Sequence, residues 1–538
     1  MAARSQALSA KSRLVIGYAL VVALFVLGTL GREPYDDSYF FKRVALNAWE
    51  HGALSWNPSD GPVYGITSQL FQLVSLAVTA VVPDFTVFAT RLVLSLCLLA
   101  AFALTLSTSY GRDRGLAATL ACCSPLLLFS VDSGMETALA LALIALCIWL
   151  LYGEIGQQRH WALAPVVVLL AWLTRPDVVL LLVPPLLTRR WALRGRAPVR
   201  EVLLLALGFG AFLLFFKLYY GTALPLAFYA KERAFSPYDA TFVQASTIAQ
   251  HWHWGLFASV ALPLVLVALE RRDRTNLTLL GAALLFVAYH AGTTIDVMGM
   301  HGRFYAPASL LLVLAAARAG SQRSKPALMA LSYLLIMAAL ALVNFLPGAQ
   351  SGFERVPLPY YAASGLGALA LLLGPAFRWA MPASVAPLLA ASAVAVVFAH
   401  GLRLRAPPRD DDYLRIHESH VTVYRGLERL RACVGDGISL YHSEVGLPGL
   451  RFARGKVTDL AGLFNRGWLF REYDFDAMCQ RDRPEAIFLP HRNYAALNRE
   501  IVGSKCLTGY ALVVPESSSP LYVRKDLLSL YENCSVGE

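Results

Sequence analysis

The chain has 538 residues, of which 57% are hydrophobic and 15% charged, and its mean hydropathy is +0.52. An ordinary soluble domain carries about a quarter charged residues, so this composition excludes that class. The net charge of +11 would suggest nucleic acid if the basic residues shared a soluble face. Instead they sit in short loops between apolar runs, as in membrane proteins whose cytoplasmic loops are positive.

In chain order, the first apolar run, from about Leu14 to Leu30, follows a basic start and lacks a small-x-small cleavage site before Arg32. It reads as an uncleaved first helix with a cytoplasmic N-terminus. The segment 32–85 is the first outward loop. It opens on two adjacent acids, Asp36 and Asp37. Phe40, Phe41, Val44, Ala45, Ala48 and Trp49 then recur at three and four, with Lys42, Arg43, Asn47 and Glu50 elsewhere. That spacing predicts an amphipathic helix of about four turns at the membrane interface. One acid is expected to cap it, its carboxylate accepting first-turn N–H groups. The second is unexplained by capping and repels the first. The apolar segment 66–82 is expected to lie along or dip into the outer face, because a full span there would turn every basic loop outward.

The basic loops 111–115, 188–200, 270–274 and 318–325, taken as cytoplasmic, place spans near 13–31, 86–109, 116–131, 137–152, 161–174, 177–188, 201–220, 255–269, 277–292, 304–318, 327–346, 360–377 and 384–402. The expected architecture is therefore a polytopic α-helical membrane domain of about thirteen helices, residues 1–404. A C-terminal soluble α/β domain, 405–538, emerges on the outer side. Within it "GISLY", "AIFLP", "YALVVP" and "LYVRK" read as strands bounded by turn residues. The tail cysteines Cys433, Cys479, Cys506 and Cys534 are even in number and suited to pairing in an oxidising compartment. Cys97, Cys122, Cys123 and Cys147 lie in apolar runs as small hydrophobes.

This threading gathers a polar set on one membrane face: "YDDSYFFKR", "DSGMET", "LTRPD", "YYGTALPLAFYAKER", "DVMGMHGRFYAP" and "FERVPLPYY". Each charge alone has a bland reading. Glu136 could cap the helix that follows, Arg175 could pair with Asp177, Lys231 could neutralise Glu232, and His301 and Arg303 could anchor at the interface. Together, Arg175, Lys231 and Arg303 beside Asp36 and Asp37 suit another chemistry: cations grip a phosphate and a carboxylate takes a proton from an attacking hydroxyl. No Walker loop, strand-plus-GxGxxG unit or HExxH motif competes, and the cysteine spacings do not resemble zinc fingers.

The run Asp36-Asp37-Ser38-Tyr39, Arg43, and "HGALSWNPSDGPVYGITSQL" resemble the GT-C class of integral-membrane glycosyltransferases. They look most like its bacterial arabinofuranosyltransferase branch, although "YGITS" departs from that branch's shorter spacing. "SGMETAL", "LTRPD", "YGTALPLAFYAK", "HGRF" and "DLAGL" are similar in order. The resemblance implies a polyprenyl-phosphate sugar donor and transfer to an acceptor hydroxyl at the outer face of a bacterial inner membrane. It implies catalytic carboxylates at Asp36 or Asp37, the former favoured because Asp37 is nearer the helix. Arg175, Lys231 and Arg303 would hold the donor phosphate, and Arg43, Tyr64, Ser68, Glu136 and His301 would line the substrate. The branch suggests arabinofuranose as the sugar and a glycan, lipid or protein as acceptor. If a divalent cation is used, Asp36, Asp37 and Glu136 would bind magnesium or manganese. The alternatives are a transporter or flippase of a lipid-linked saccharide, which would show mid-span charges and repeated halves, and a non-catalytic scaffold.

Overall fold

A computed structural model describes residues 34–108 (apart from 35), 125–153, 161–194, 198–229, 271–293, 304–319, 418–442, 446–489 (apart from 453), 495–514 and 520–533. Scattered positions in 12–27 and 261–269 are described as well. The expected spans at 327–346, 360–377 and 384–402 lie outside the described residues. The chain forms two compact units, 1–31 with 90–209 and 245–406, and 32–89 with 210–244 and 407–538.

Among the described residues the helices before the tail are α1 Ser38–His51, α2 Gln69–Val81, α3 Thr86–Thr108, α4 Pro125–Asp132, α5 Thr137–Tyr152, α6 Ala164–Thr174, α7 Val179–Arg194, α8 Val199–Tyr220, α9 Arg274–Thr293 and α10 Ala306–Ala319. Among the described residues two helical segments, Pro83–Thr108 and Val199–Tyr220, are long and apolar enough to cross a bilayer. In α8, Leu203, Leu207, Leu214 and Leu218 are all exposed. A solvent-facing stripe of this kind is costly in water and ordinary in lipid.

In the first unit α9 packs on α7 and α10, and α5 packs on α6 and α10. The helix α5 is apolar all round and buried on twelve of its sixteen residues, which is the pattern of a central helix. Buried ion pairs stitch this unit, among them Arg190 to Glu201 at 2.6 Å and Arg91 to Asp132 at 3.5 Å.

In the second unit α1 occupies the predicted register, with Phe40, Phe41, Val44 and Ala45 buried. Gly52 ends it at φ 74°, donating its N–H to Ala48 O, a left-handed stop that glycine takes without strain. Two expectations for α1 fail. Asp37 is the N-cap residue, but it has helical backbone angles (φ −58°, ψ −21°) and its side chain makes no capping hydrogen bond. A capping side chain needs extended backbone to reach back to the second or third N–H. The polar face does not lie in water either: Arg43 and Asn47 are buried while Trp49 is exposed. Carbonyls of the loop at 55–57 and of residues 449–455 cover that face, so it is polar because it is hydrogen-bonded inside the unit.

The tail adds α11 Glu418–Val434, β1 Leu440–His442, α12 Gly446–Arg451, β2 Val457–Asp459, α13 Arg466–Leu469, α14 Phe475–Asp482, β3 Ala486–Phe488, α15 Ala495–Val502, β4 Tyr510–Val514, β5 Leu521–Arg524 and α16 Leu528–Asn533. The five strands run in the order β2-β1-β3-β5-β4. Strand β1 pairs parallel with β2 and β3, Tyr441 opposite Thr458 and Ile487, and β5 pairs antiparallel with β3 and β4. Four of these strands match the sequence expectation, and β2 is additional. Tyr441, Leu460, Met478, Ile487 and Ile501 form the core on one side. There Cys479 and Cys506 are joined by a disulfide, and Cys433 is also disulfide-bonded.

Candidate functional site

The acidic pair stands at the N-terminal end of α1, where the helix dipole favours negative charge. Both side chains are half-buried. One oxygen of Asp36 accepts the N–H of Leu447 at 2.8 Å. A side chain on Gly446 would run into the Asp36 carboxylate, so glycine there permits the close approach of the two segments. The Asp36 carboxylate is thus held by backbone 411 residues away in sequence.

Arg43, about two turns further along, is only 1% exposed. Its Nε donates to Trp56 O at 2.8 Å. Its Nη1 donates to Phe452 O at 3.2 Å and to Gly449 O. Its Nη2 donates to Asn57 Oδ1 at 2.9 Å and Gly455 O at 3.2 Å. A guanidinium has five N–H donors, and here all are spent on protein. The cation also lies over the Trp56 ring at 4.6 Å, and Trp56 in turn stacks on Phe464 at 4.3 Å. The structure therefore gives Arg43 the task of tying the first loop to residues 449–455 and leaves it no donor for a substrate.

Tyr64 stacks on Tyr220 with ring centroids 4.9 Å apart and 18° between planes, and its carbonyl accepts the N–H of Leu226 at 2.7 Å. Burial raises its hydroxyl pKa above the usual tyrosine value. Ser68 precedes α2 and is fully buried. Tyr64 and Tyr220 line a cavity of about 340 Å³ with Thr222, Thr458, Asp459 and Arg466 among others, all in the second unit. Asp459, at the end of β2, is 1% exposed. Its two oxygens accept the N–H groups of Ala461 and Phe464, each at 2.8 Å. Burial pushes its carboxyl up to about 7, although those N–H groups pull the other way.

In the first unit Arg175 and Asp177 pair in a fork, Nε to Oδ1 at 3.2 Å and Nη2 to Oδ2 at 2.7 Å, which is the pairing weighed from sequence. His290 Nε2 reaches the same Oδ2 at 2.8 Å. Glu136 stands 3.8 Å from Arg175 Nη1. It occupies the N-cap position of α5 without a side-chain capping bond. Phe304 closes one side, 5.6 Å from the guanidinium and stacked on His290 at 5.5 Å. Glu136, Arg175, Asp177 and His290 thus form one buried chain of charged and titratable groups. His290 went unselected in the sequence. Its signal was a histidine inside an apolar helix, a position that marks function or a named partner.

Lys231, His301 and Arg303 lie outside the described residues. No group of three or more His, Cys, Asp and Glu side chains gathers in a metal-holding arrangement among the described residues.

The fold is similar to that of two solved structures. ArnT from Cupriavidus metallidurans bound to undecaprenyl phosphate superposes with a TM-score of 0.56 at 15% identity, over 94% of this chain and 97% of that one. Its apo form gives a TM-score of 0.58 at 14% identity, over 97% and 99%. No protein-family model and no curated protein sequence matches the chain. At these identities the likeness establishes the fold: a largely helical chain with a small sheet in its C-terminal region.

Proposed function

We propose that the protein is a membrane glycosyltransferase that takes a sugar from a polyprenyl-phosphate donor and places it on an acceptor hydroxyl. The observation that carries this reading is the ArnT fold along nearly the whole chain, in a structure that holds undecaprenyl phosphate, combined with the acid-rich first loop. Asp36 is the carboxylate we assign to the acceptor's proton, and Asp37 is its neighbour. Support for Asp36 comes from the Leu447 N–H that fixes one of its oxygens, since a catalytic group works best when its orientation is locked by a supporting hydrogen bond. Arg175, Lys231 and Arg303 are assigned to the donor phosphate. For Arg175 the donor is Nη1, which hydrogen-bonds no acceptor among the described residues, while Nε and Nη2 are held by Asp177. A cation beside the donor phosphate stabilises the charge that builds on it as the sugar departs.

The disulfide between Cys479 and Cys506 supports an extracytoplasmic tail, because such bonds persist in oxidising compartments. We assign the chain to a bacterial inner membrane from its likeness to ArnT of Cupriavidus metallidurans. Arabinofuranose is the sugar suggested by the motif order alone. The experiment is transfer from a panel of undecaprenyl-phosphate sugars, pentosyl and hexosyl, by the full chain in nanodiscs. Turnover of one donor is the expected result, and failure of every donor together with no binding of undecaprenyl phosphate would overturn the proposal.

A further inference from the structure

The helix α8 runs from Val199 to Tyr220, 22 residues, or about 33 Å at 1.5 Å per residue. That matches a hydrocarbon core of about 30 Å, so the last turn of α8 lies at a membrane–water boundary. This end of the helix, in the second unit, exposes Leu214, Phe215, Leu218 and Tyr219, and the segment after it exposes Leu224 and Phe228. Large apolar side chains left uncovered on a spanning helix face lipid. A tyrosine at its end is in keeping with headgroup depth.

Lys217 lies three residues after Leu214 and next to Leu218, on the lipid-facing side of that last turn. A charged head in such a place snorkels toward the boundary. The Lys217 Nζ does so, donating to the carbonyl of Gly221 at 3.0 Å. Gly221 follows the last residue of α8 at φ 77°, the left-handed stop that turns the chain out of the helix. A second cation reaches the same glycine from the tail. Arg466, the first residue of α13, sits so close to Gly221 that a side chain there would meet its Nη1 at 2.7 Å.

Both cations are exposed, and neither has an ion pair among the described residues. Asp60, Asp459 and Asp482 line the adjoining cavity with Arg466, but each is otherwise engaged. Lys456 lies 3.7 Å from Asp60 and 3.5 Å from Asp482, Arg481 lies 2.8 Å from Asp482, and Asp459 accepts backbone N–H groups. Lys217 therefore keeps two of its three N–H donors, and Arg466 keeps all five of its own. Two unpaired cations beside uncovered apolar side chains at headgroup depth call for an anion that carries acyl chains. A zwitterionic headgroup brings an ammonium into this pair of cations, whereas a phosphodiester without an amine does not.

We propose that Lys217 and Arg466 form a site for the phosphate of an anionic phospholipid, whose acyl chains lie along Leu214 and Leu218. Each cation donates to a phosphodiester oxygen, so the lipid phosphate bridges the end of α8 and α13. The site uses none of the residues assigned to sugar transfer and stands whether or not that assignment holds.

The test titrates dioleoylphosphatidylglycerol or dioleoylphosphatidylcholine into the full chain in detergent and counts bound lipid by native mass spectrometry. The wild type should hold the glycerol lipid at least fivefold more tightly. Lys217→Gln with Arg466→Gln should weaken it about 25-fold, at roughly fivefold per cation near a membrane surface, and leave the choline lipid unchanged. Both side chains are exposed, so this variant should melt within about 2 °C of the wild type. If it melts lower, the two single changes are read instead, at about fivefold each. Arg454→Gln with Lys505→Gln removes two other exposed cations of the tail and should leave glycerol-lipid binding as in the wild type. Equal binding of the two lipids by the wild type, or an equal loss in the Arg454 and Lys505 variant, would overturn the site. Displacement of the lipid by millimolar inorganic phosphate would show a site for a free anion and overturn the lipid. Loss of undecaprenyl phosphate binding in the Lys217 and Arg466 variant would give these cations to the donor and overturn the phospholipid assignment.

Discussion

Replacing Arg43 with methionine removes five donors from the interior of the second unit while keeping most of the side-chain volume. The carbonyls do not suffer equally. Trp56 O keeps the amide of Asn47 at 2.7 Å, Phe452 O keeps the N–H of Gly455 at 2.9 Å, and Asn57 Oδ1 keeps the N–H of Val457 at 3.0 Å. Gly449 and Gly455 each lose a charged donor from their carbonyl. An unsatisfied buried acceptor costs about 1–3 kcal/mol, and the cation–π contact with Trp56 adds roughly 1 kcal/mol. Release of the buried cation's desolvation penalty, which lowers the Arg43 pKa to about 9, offsets part of that. A net loss of about 3–5 kcal/mol follows. At roughly 2–4 °C per kcal/mol for a unit of this size, the melting temperature should fall by about 6–20 °C. The assay is thermal unfolding of the full chain in detergent, with hydrogen exchange read at residues 446–460 and 53–60. Arg43→Lys should recover less than half of the loss, because an ammonium cannot spread over the same carbonyls. A methionine variant that melts within about 2 °C of the wild type, with unchanged exchange, would refute the view that Arg43 is a structural tie.

Asp459 should make the second unit less stable as pH rises. Its folded carboxyl is lifted from the ordinary ~3.9 to about 7, so the folded state binds the extra proton between those values. Stability then falls from pH ~4 to ~7 by up to about 4 kcal/mol and is flat above. Melts at pH 5 and 8 should show that slope in the wild type and a flatter one in Asp459→Asn; parallel slopes would count against it. The Cys479–Cys506 disulfide closes a separation of 27 residues, so Cys479→Ser with Cys506→Ser should cost about 3.5 kcal/mol by loop entropy, read as a lowered melting temperature. In the first unit, Asp177→Leu alone should destabilise by about 3–5 kcal/mol because it strands Arg175. The double change with Arg175→Met should cost less than that single one, and a double variant worse than both singles would contradict the buried-pair reading.

Local pattern carried much of the fold. The spacing of Phe40, Phe41, Val44 and Ala45 gave α1 to within a residue or two, and the apolar segment 66–82 appears as α2, Gln69–Val81. Four short strands were visible from their turn-bounded β-branched and aromatic runs. Strand β2 was not, since the three residues of "VTD" hold one apolar side chain and show no alternation to read. The site was less legible because its contacts are long-range. Asp177 and His290 are 113 residues apart, and Arg43 meets Gly449 across 406. Nothing in a window of a dozen residues distinguishes a buried, fully bonded arginine from one waiting for a phosphate. The acids of the first loop stood out in sequence, but only the structure shows that the Asp36 carboxylate, not that of Asp37, is held by the N–H of Leu447.

The central claim is that Asp36 carries the transfer. The direct measurement is sugar transfer from an undecaprenyl-phosphate donor by the full chain, comparing wild type, Asp36→Asn and Asp37→Asn, with donor binding measured on each. Asparagine retains an oxygen for the Leu447 N–H, so folding should survive. Loss of a general base predicts a drop of roughly 10²–10⁴-fold in turnover for Asp36→Asn with donor binding little changed, and a smaller drop for Asp37→Asn. Full turnover by Asp36→Asn would contradict the account.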